Sequence, residues 1–174
     1  ASMFEMVPEL VVFPKSSQDV QKLVSYVAEH KKADPDLSLT ARSGGTCMSG
    51  GSINQSLILD MNRHLNKIGA ISPKTANTQP GAFYRDFEKA TLKKGSLMPS
   101  YPASRDLCTI GGMVANNAGG ERSLQYGKTE NFIESLKVVF ADGNEYTVKA
   151  LNKTELKKKM AQKNFEGRLY KEVF

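Results

Sequence analysis

Two short glycine-rich segments dominate this sequence and hold eight of its fourteen glycines. The first reads Arg42-Ser43-Gly44-Gly45-Thr46-Cys47-Met48-Ser49-Gly50-Gly51. The second reads Thr109-Ile110-Gly111-Gly112-Met113-Val114-Ala115-Asn116-Asn117-Ala118-Gly119-Gly120. Glycine lets a backbone take φ > 0 and approach a ligand closely. Successive N–H groups in such a turn form a concave nest that favours an anion. Two such segments in 174 residues predict a large ligand with phosphate at one place and a planar group at another.

The length allows one domain with a real core, and 40% hydrophobic with 24% charged residues is ordinary globular composition. No apolar run approaches the roughly 20 residues that span a bilayer. The first residues read straight into Val7-Pro8-Glu9-Leu10 without a secretory leader pattern, so the expected location is cytoplasmic. Two cysteines, Cys47 and Cys108, make no disulfide framework and are read as small fillers of tight loops. With two histidines as well, they give no zinc-binding pattern, and no metal is expected. The net charge of +6 is concentrated at the end: residues 149–174 carry eight Lys/Arg against three Asp/Glu. Lys157-Lys158-Lys159 reads as the solvated face of a helix, and no aromatic interleaving or motif points to nucleic acid.

Along the chain, residues 9–13 read as a short strand ended by Pro14. Ser16 or Ser17 caps a helix whose stripe is Val20, Leu23, Val24, Val27 and Ala28, closed by His30 and two lysines. Residues 37–41 form a strand that enters the first glycine segment, and residues 57–60 form a buried strand after it. Residues 76–79 are a weaker strand. Residues 83–94 are an amphipathic helix with Phe83, Phe87 and Ala90 on one face and Gly95 at its end. Residues 132–140 and 145–148 make a hairpin around Asp142-Gly143, and Asn152 or Thr154 caps a last helix to Lys163. Residues 164–174 show no clear period. The pattern is α+β with mostly local sheet contacts.

The segments lack both familiar nucleotide fingerprints. Neither is G-x-G-x-x-G between strand and helix, and neither is G-x-x-x-x-G-K-[ST]. The first segment lies between two strands, so its N–H groups and the hydroxyls of Ser43, Thr46 and Ser49 must hold any anion without a helix dipole. No carboxylate occurs between Asp36 and Asp60 to repel one. In the second segment Thr109, Asn116 and Asn117 can hydrogen-bond a ring edge or a polyol chain, while small neighbours leave room for a flat body. A short helix packed closely on a sheet is the ligand-free alternative.

The order Pro8-x-Leu10-Val11-Val12-x-Pro14, Arg42-Ser43-Gly44-Gly45-Thr46-x-x-Ser49-Gly50-Gly51, Leu59-Asp60-Met61-Asn62, Pro80-Gly81 opens a wider resemblance. Pro102-Ala103-Ser104, Thr109-Ile110-Gly111-Gly112, Asn117-Ala118-Gly119-Gly120, Tyr126-Gly127 and Val138-Val139-x-x-Asp142-Gly143 continue it. Together they resemble the PCMH-type FAD-binding domain of the vanillyl-alcohol oxidase superfamily. The D-lactate dehydrogenase, glycolate oxidase and D-2-hydroxyglutarate dehydrogenase branch is the most similar. The resemblance implies two small α/β subdomains with the cofactor between them. It covers residues 3–148, with a truncated start, and leaves 149–174 as a basic helical tail leading to an absent substrate domain.

It also implies roles. Ser43, Gly44, Gly45, Thr46, Cys47, Met48 and Ser49 would wrap the FAD pyrophosphate. Pro102, Ser104, Thr109, Gly111, Gly112, Asn117, Gly119 and Gly120 would line the ribityl and isoalloxazine region, with Asn116 and Tyr126 as neighbours. The backbone of Ile133 would meet the adenine end. Covalently flavinylated relatives carry a His where Thr46 stands, and bicovalent ones add a Cys where Leu107 stands, so the expected FAD is non-covalent. His64 reads as part of a structural turn. The implied activity is oxidation of a small 2-hydroxy acid to the 2-oxo acid by hydride transfer to flavin N5. Electrons would pass to an acceptor protein or quinone, and the parent would be cytoplasmic or peripheral at the membrane. The alternatives are a UDP-N-acetylenolpyruvoylglucosamine reductase-like flavin domain and a stand-alone FAD-binding or partner-docking module. No catalytic acid or base can be named from these residues.

Overall fold

A computed structural model describes residues 5–174, so the expected domain start at Met3 lies outside the described residues. β1 (Leu10–Val12) ends at Pro14, which is buried. Ser16 is the cap of α1 (Ser17–His30): its hydroxyl accepts from the Asp19 N–H at 3.3 Å, and the Asp19 carboxylate accepts from the Ser16 N–H at 3.1 Å. This reciprocal box satisfies donors that every helix start leaves unpaired. α1 crosses to β2 (Leu39–Arg42), and residues 43–56 then return without a helix to β3 (Leu57–Asp60).

β3 lies between β1 and β2 and runs parallel to both, with Ile58 opposite Val11 and Thr40. Its Leu57-Ile58-Leu59 run is buried, as a central parallel strand requires. The expectation of mostly local sheet contacts fails here, because parallel neighbours need a crossover of a dozen or more residues.

β4 (Ile68–Ile71) and β5 (Ala76–Thr78) form an irregular antiparallel pair. β4 has no counterpart in the sequence reading, since Gly69 and Ala70 between its two isoleucines break the alternation and favour strand poorly. α2 (Tyr84–Leu92) buries Tyr84, Phe87, Glu88 and Thr91. Of the expected face, Phe87 is buried, while Phe83 and Ala90 are only half-buried and Tyr84, Glu88 and Thr91 complete the inner face instead. Phe83 is the extended cap residue outside the helix, and its ring receives the Arg85 guanidinium at 4.1 Å instead. Gly95 does take φ +73°, beyond a helix that stops at Leu92.

α3 (Ile110–Ala115) forms inside the second glycine segment, so the close-packed helix read as the alternative is present. Tyr84, Phe87, Tyr101, Cys108, Ile110 and Met113 make the core between α2 and α3. Side chains of the larger kinds contribute roughly 1.5–3 kcal/mol each when fully buried. Cys108 is part of that core and burial pushes its thiol up, which fits the filler reading.

α4 (Ser123–Tyr126) and a 3-10 turn (Thr129–Phe132) lead to the hairpin of β6 (Ser135–Val139) and β7 (Glu145–Lys149). The strand expected from residue 132 starts later, because the N–H groups of Asn131 and Ile133 close turns on Lys128 and Glu130. The Asp142-Gly143 turn is as expected, with Gly143 at φ +78° and packed so tightly on α1 that a Cβ would overlap the Ser25 hydroxyl.

Asn152 caps α5 (Lys153–Met160), which ends before the expected Lys163, and Asn164 caps α6 (Phe165–Val173), which the sequence reading missed. Lys157 and Lys158 are exposed as expected, but Lys159 pairs with the buried Glu166 of α6. Phe165 of α6 meets Phe140 beside the hairpin, ring centroids 6.2 Å apart. The basic tail is therefore docked on the hairpin.

Candidate cofactor-binding site

β2 and β3 hold the two ends of the first glycine segment side by side, and Arg42 braces it from within. The Arg42 Nη1 donates to the carbonyl and hydroxyl oxygens of Ser52, each at 3.2 Å. Its guanidinium also covers Gly45, where a Cβ would overlap it. Gly45 and Gly50 take φ +66° and +78°, the left-handed turns that a concave N–H array uses. Arg42 was not among the expected site residues; its signal was the only cation within a glycine-rich, carboxylate-free stretch from Leu37 to Leu59.

The second segment works differently. None of Gly111, Gly112, Gly119 and Gly120 has positive φ; the left-handed residue is Asn117, at φ +43°. Its side-chain oxygen accepts from the Glu130 N–H at 3.0 Å, which ties the segment to the 3-10 turn. Two of these glycines are there for close packing on backbone. A Cβ at Gly111 would press into Pro80, and one at Gly120 would overlap the Tyr101 carbonyl. Asn117→Ala is expected to cost about 1–2 kcal/mol, since it loses the acceptor and keeps the strain. Asn117→Gly should cost less than half of that, as read from urea midpoints of the two variants.

The two segments meet across a cavity of about 160 Å³. Ser43, Gly44, Gly45, Thr46 and Cys47 line one side, and Thr109, Gly111, Gly112 and Asn116 the other. Met61 and Pro80, missed by the sequence reading as site residues, complete it together with Ala41, Gly51, Ser52 and Ala115. Among the described residues no carboxylate lines it. At its seam a Cβ on Gly44 would overlap the Leu107 carbonyl oxygen and crowd Cys108. The Ser104 and Thr46 hydroxyls face one another there at 3.5 Å. The cavity is smaller than the roughly 300–1,000 Å³ of drug-sized ligand pockets, so it suits one segment of a long cofactor.

The remaining expected residues lie off the cavity wall. Met48 and Ser49 are exposed on the outer turn of the first loop. Pro102 is half-buried beside Tyr101. Asn117, Gly119 and Gly120 pack behind α3, Gly119 against the Ser123 hydroxyl. Ile133 uses its N–H on the Glu130 carbonyl at 3.3 Å. Tyr126 is exposed on α4, and His64 sits in a turn after β3. Among the described residues no three His, Cys, Asp or Glu side chains gather as a metal site would require.

Cys47 departs from the filler reading. N–H groups of Gly51 first and Ser49 second, then the Asn116 side chain, hold its thiol below the ordinary cysteine range. Cys47 is half-exposed on the cavity wall and Cys108 is buried. Limited iodoacetamide treatment of native protein should therefore label Cys47 and spare Cys108, as peptide mass mapping reads. The labelling midpoint should fall below the pH of about 8.5 typical of a free thiol. Bound FAD should protect Cys47.

The chain matches the FAD binding domain family over residues 8–149, and it belongs to that family. It is 30% identical over 176 residues to a D-2-hydroxyglutarate dehydrogenase of Escherichia coli (strain K12), covering 99% of this chain and 17% of the relative. It is 33% identical over 144 residues to glycolate oxidase subunit GlcD of Bacillus subtilis (strain 168), covering 81% of this chain and 30% of the relative. The chain thus spans less than a third of the length of these relatives. The fold is shared with 6-hydroxy-D-nicotine oxidase from Arthrobacter nicotinovorans, at a TM-score of 0.73 and 23% identity over 88% of this chain and 33% of that one. The α+β, PCMH-type reading of the fold and the FAD reading of the cofactor both stand on these matches.

Proposed function

We propose that this chain is the FAD-holding part of a flavoprotein that oxidises a small 2-hydroxy acid to the 2-oxo acid. The observation that carries the cofactor half is the carboxylate-free cavity walled by both glycine segments, with left-handed turns at Gly45 and Gly50. Those residues suit FAD. N–H groups of residues 43–47 would hold the pyrophosphate, with the hydroxyls of Ser43 and Thr46 as further donors, while Met48 and Ser49 would close the outer turn of that loop. Pro102, Ser104, Thr109, Gly111, Gly112, Asn116, Asn117, Gly119 and Gly120 would form or support the wall along the ribityl chain and ring, and the Ile133 backbone would meet the adenine end. Bound FAD supplies the two-electron acceptor, while the protein binds, orients and shields it. Thr46 offers no imidazole for a tether, which supports non-covalent binding. The 2-hydroxy-acid substrate rests on the activities for which the two relatives are named. Electron delivery to an acceptor protein or quinone, in the cytoplasm or at its membrane face, belongs to the same reading. The domain boundary near residue 148 does too, with the docked helices α5 and α6 leading onward.

The test is the visible spectrum of the purified chain, with and without added FAD. Flavin bands that leave with the supernatant on acid precipitation support non-covalent FAD, and colour in the pellet overturns it. If the protein is colourless, FAD at 100 times its Kd should stabilise it by about 2.7 kcal/mol. No rise in melting temperature at millimolar FAD overturns the cofactor assignment. Reduction of bound flavin by D-2-hydroxyglutarate, D-lactate or glycolate, read in the longer protein, tests the substrate class.

A further inference from the structure

Ser104 does not itself line the cavity but sets its hydroxyl against that of Thr46, which does, and its loop has an anchor further out. Arg105 follows Ser104 directly, and its Nη2 lies 2.6 Å from each carboxylate oxygen of Glu88, with Nε donating at 3.2 Å. The same guanidinium lies over the Tyr101 ring, 4.6 Å from its centroid. The Tyr101 hydroxyl donates to Glu121 at 3.1 Å, so the ring is fixed at both its face and its tip. Glu88 sits on the inner face of α2 with its side chain only 10% exposed, beside the Tyr84 hydroxyl, which donates to the Met98 carbonyl at 2.6 Å. Its carboxylate is therefore a rigid point in the core. The Arg105 side chain is 43% exposed and belongs to the loop. Neither residue lines the cavity.

On the other side of Arg105, the Ser104 carbonyl accepts from the N–H groups of Leu107 and Cys108, both at 2.8 Å. That turn sets the Leu107 carbonyl against Gly44, and the Ser104 hydroxyl opposite Thr46. A forked, stacked, bidentate pair fixes direction as well as distance. We propose that the Glu88–Arg105 ion pair is a positioning device for the FAD site: from outside the cavity it sets where Ser104 stands relative to Thr46. This rests on the FAD reading above.

Arg105→Lys keeps the charge and loses the fork and the stacking. FAD affinity should fall about tenfold or more, while the melting midpoint without FAD stays within about 2 °C of wild type. Ser104→Ala should weaken FAD severalfold in the wild-type background and hardly at all on top of Arg105→Lys, because the hydroxyl is already displaced. Hydrogen exchange of the Leu107 and Cys108 amides in FAD-free protein should accelerate in Arg105→Lys, while residues 57–60 keep their wild-type protection. A lowered melting midpoint with unchanged FAD affinity would overturn the proposal, and so would independent, additive effects of Ser104→Ala and Arg105→Lys. The exchange measurement separates two failures. A wild-type chain that ignores FAD defeats the cofactor reading, whereas unchanged exchange at Leu107 and Cys108 in the variant defeats the positioning role.

Discussion

Gly44→Ala should weaken FAD binding by up to about 100-fold while leaving the secondary structure in place. The added methyl has no free space: it overlaps the Leu107 carbonyl oxygen and reaches the Cys108 backbone. Both neighbours are main chain, and Cys108 is fixed in the core. Neither can swing aside as a flexible side chain would. The two segments must therefore separate at the seam, and the separation falls at the Ser104–Thr46 facing pair. Overpacking of this kind costs about 1–3 kcal/mol in stability. If the full strain is felt in the FAD-bound state, a loss of affinity between about fivefold and about 100-fold follows, at about 1.4 kcal/mol per tenfold. Gly95→Ala is the matched control. Gly95 has φ +73° and nothing near its missing Cβ, so it carries backbone strain without a clash. That variant should lose about 1 kcal/mol of stability and bind FAD like wild type. Equal FAD titrations for Gly44→Ala and wild type would show that the seam does not set the site.

Lys159→Ala should be the most destabilising single change in the tail, at about 3 kcal/mol, or roughly 6–12 °C in melting midpoint. The Glu166 side chain is 4% exposed and its carboxylate is met by the Lys159 ammonium. Removing the lysine leaves a buried charge without its counter-ion, which is worse than having no pair. Lys157→Ala and Lys158→Ala, at exposed positions one and two residues earlier, should stay within about 0.5 kcal/mol of wild type. The double variant Lys159→Met/Glu166→Leu removes both charges and should recover most of the loss. If all three single lysine variants melt alike, the pair contributes nothing and packing contacts such as Phe165 on Phe140 hold α6.

Local chemistry made much of this fold legible in advance. The Ser16 cap of α1, the Asp142-Gly143 turn and the order strand, glycine loop, strand all follow from residues within a few positions of each other. The misses are of another kind. Lys159 reads as a surface lysine until α6 is placed beside it, and the partner that buries it is seven residues away on the next helix. α6 itself had a readable signal, with Asn164 as cap and Phe165, Leu169 and Val173 four residues apart. The site was legible in its composition and less so in its mechanics. The glycines of the second segment were read as room for a ligand, but Gly111 and Gly120 make room for Pro80 and Tyr101. The space depends on which backbones the fold brings together. Pro80 was invisible as a site residue for the same reason.

The bare return from β2 to β3 also has a consequence for how the chain is made. β1 and β2 both pair with β3 and not with each other. The central strand is the last of the three to be synthesised, about 45 residues after β1 ends. At roughly 5–20 residues per second, the first strand leaves the ribosome about 2–9 s before its partner exists. During that interval Leu10, Val11 and Val12 have no ladder to join, and α1 can form but has no sheet to cover. The whole three-stranded sheet then closes in one step once Asp60 is clear of the exit tunnel. Nascent chains arrested before that point should be degraded readily by added protease, and chains arrested well beyond it should resist.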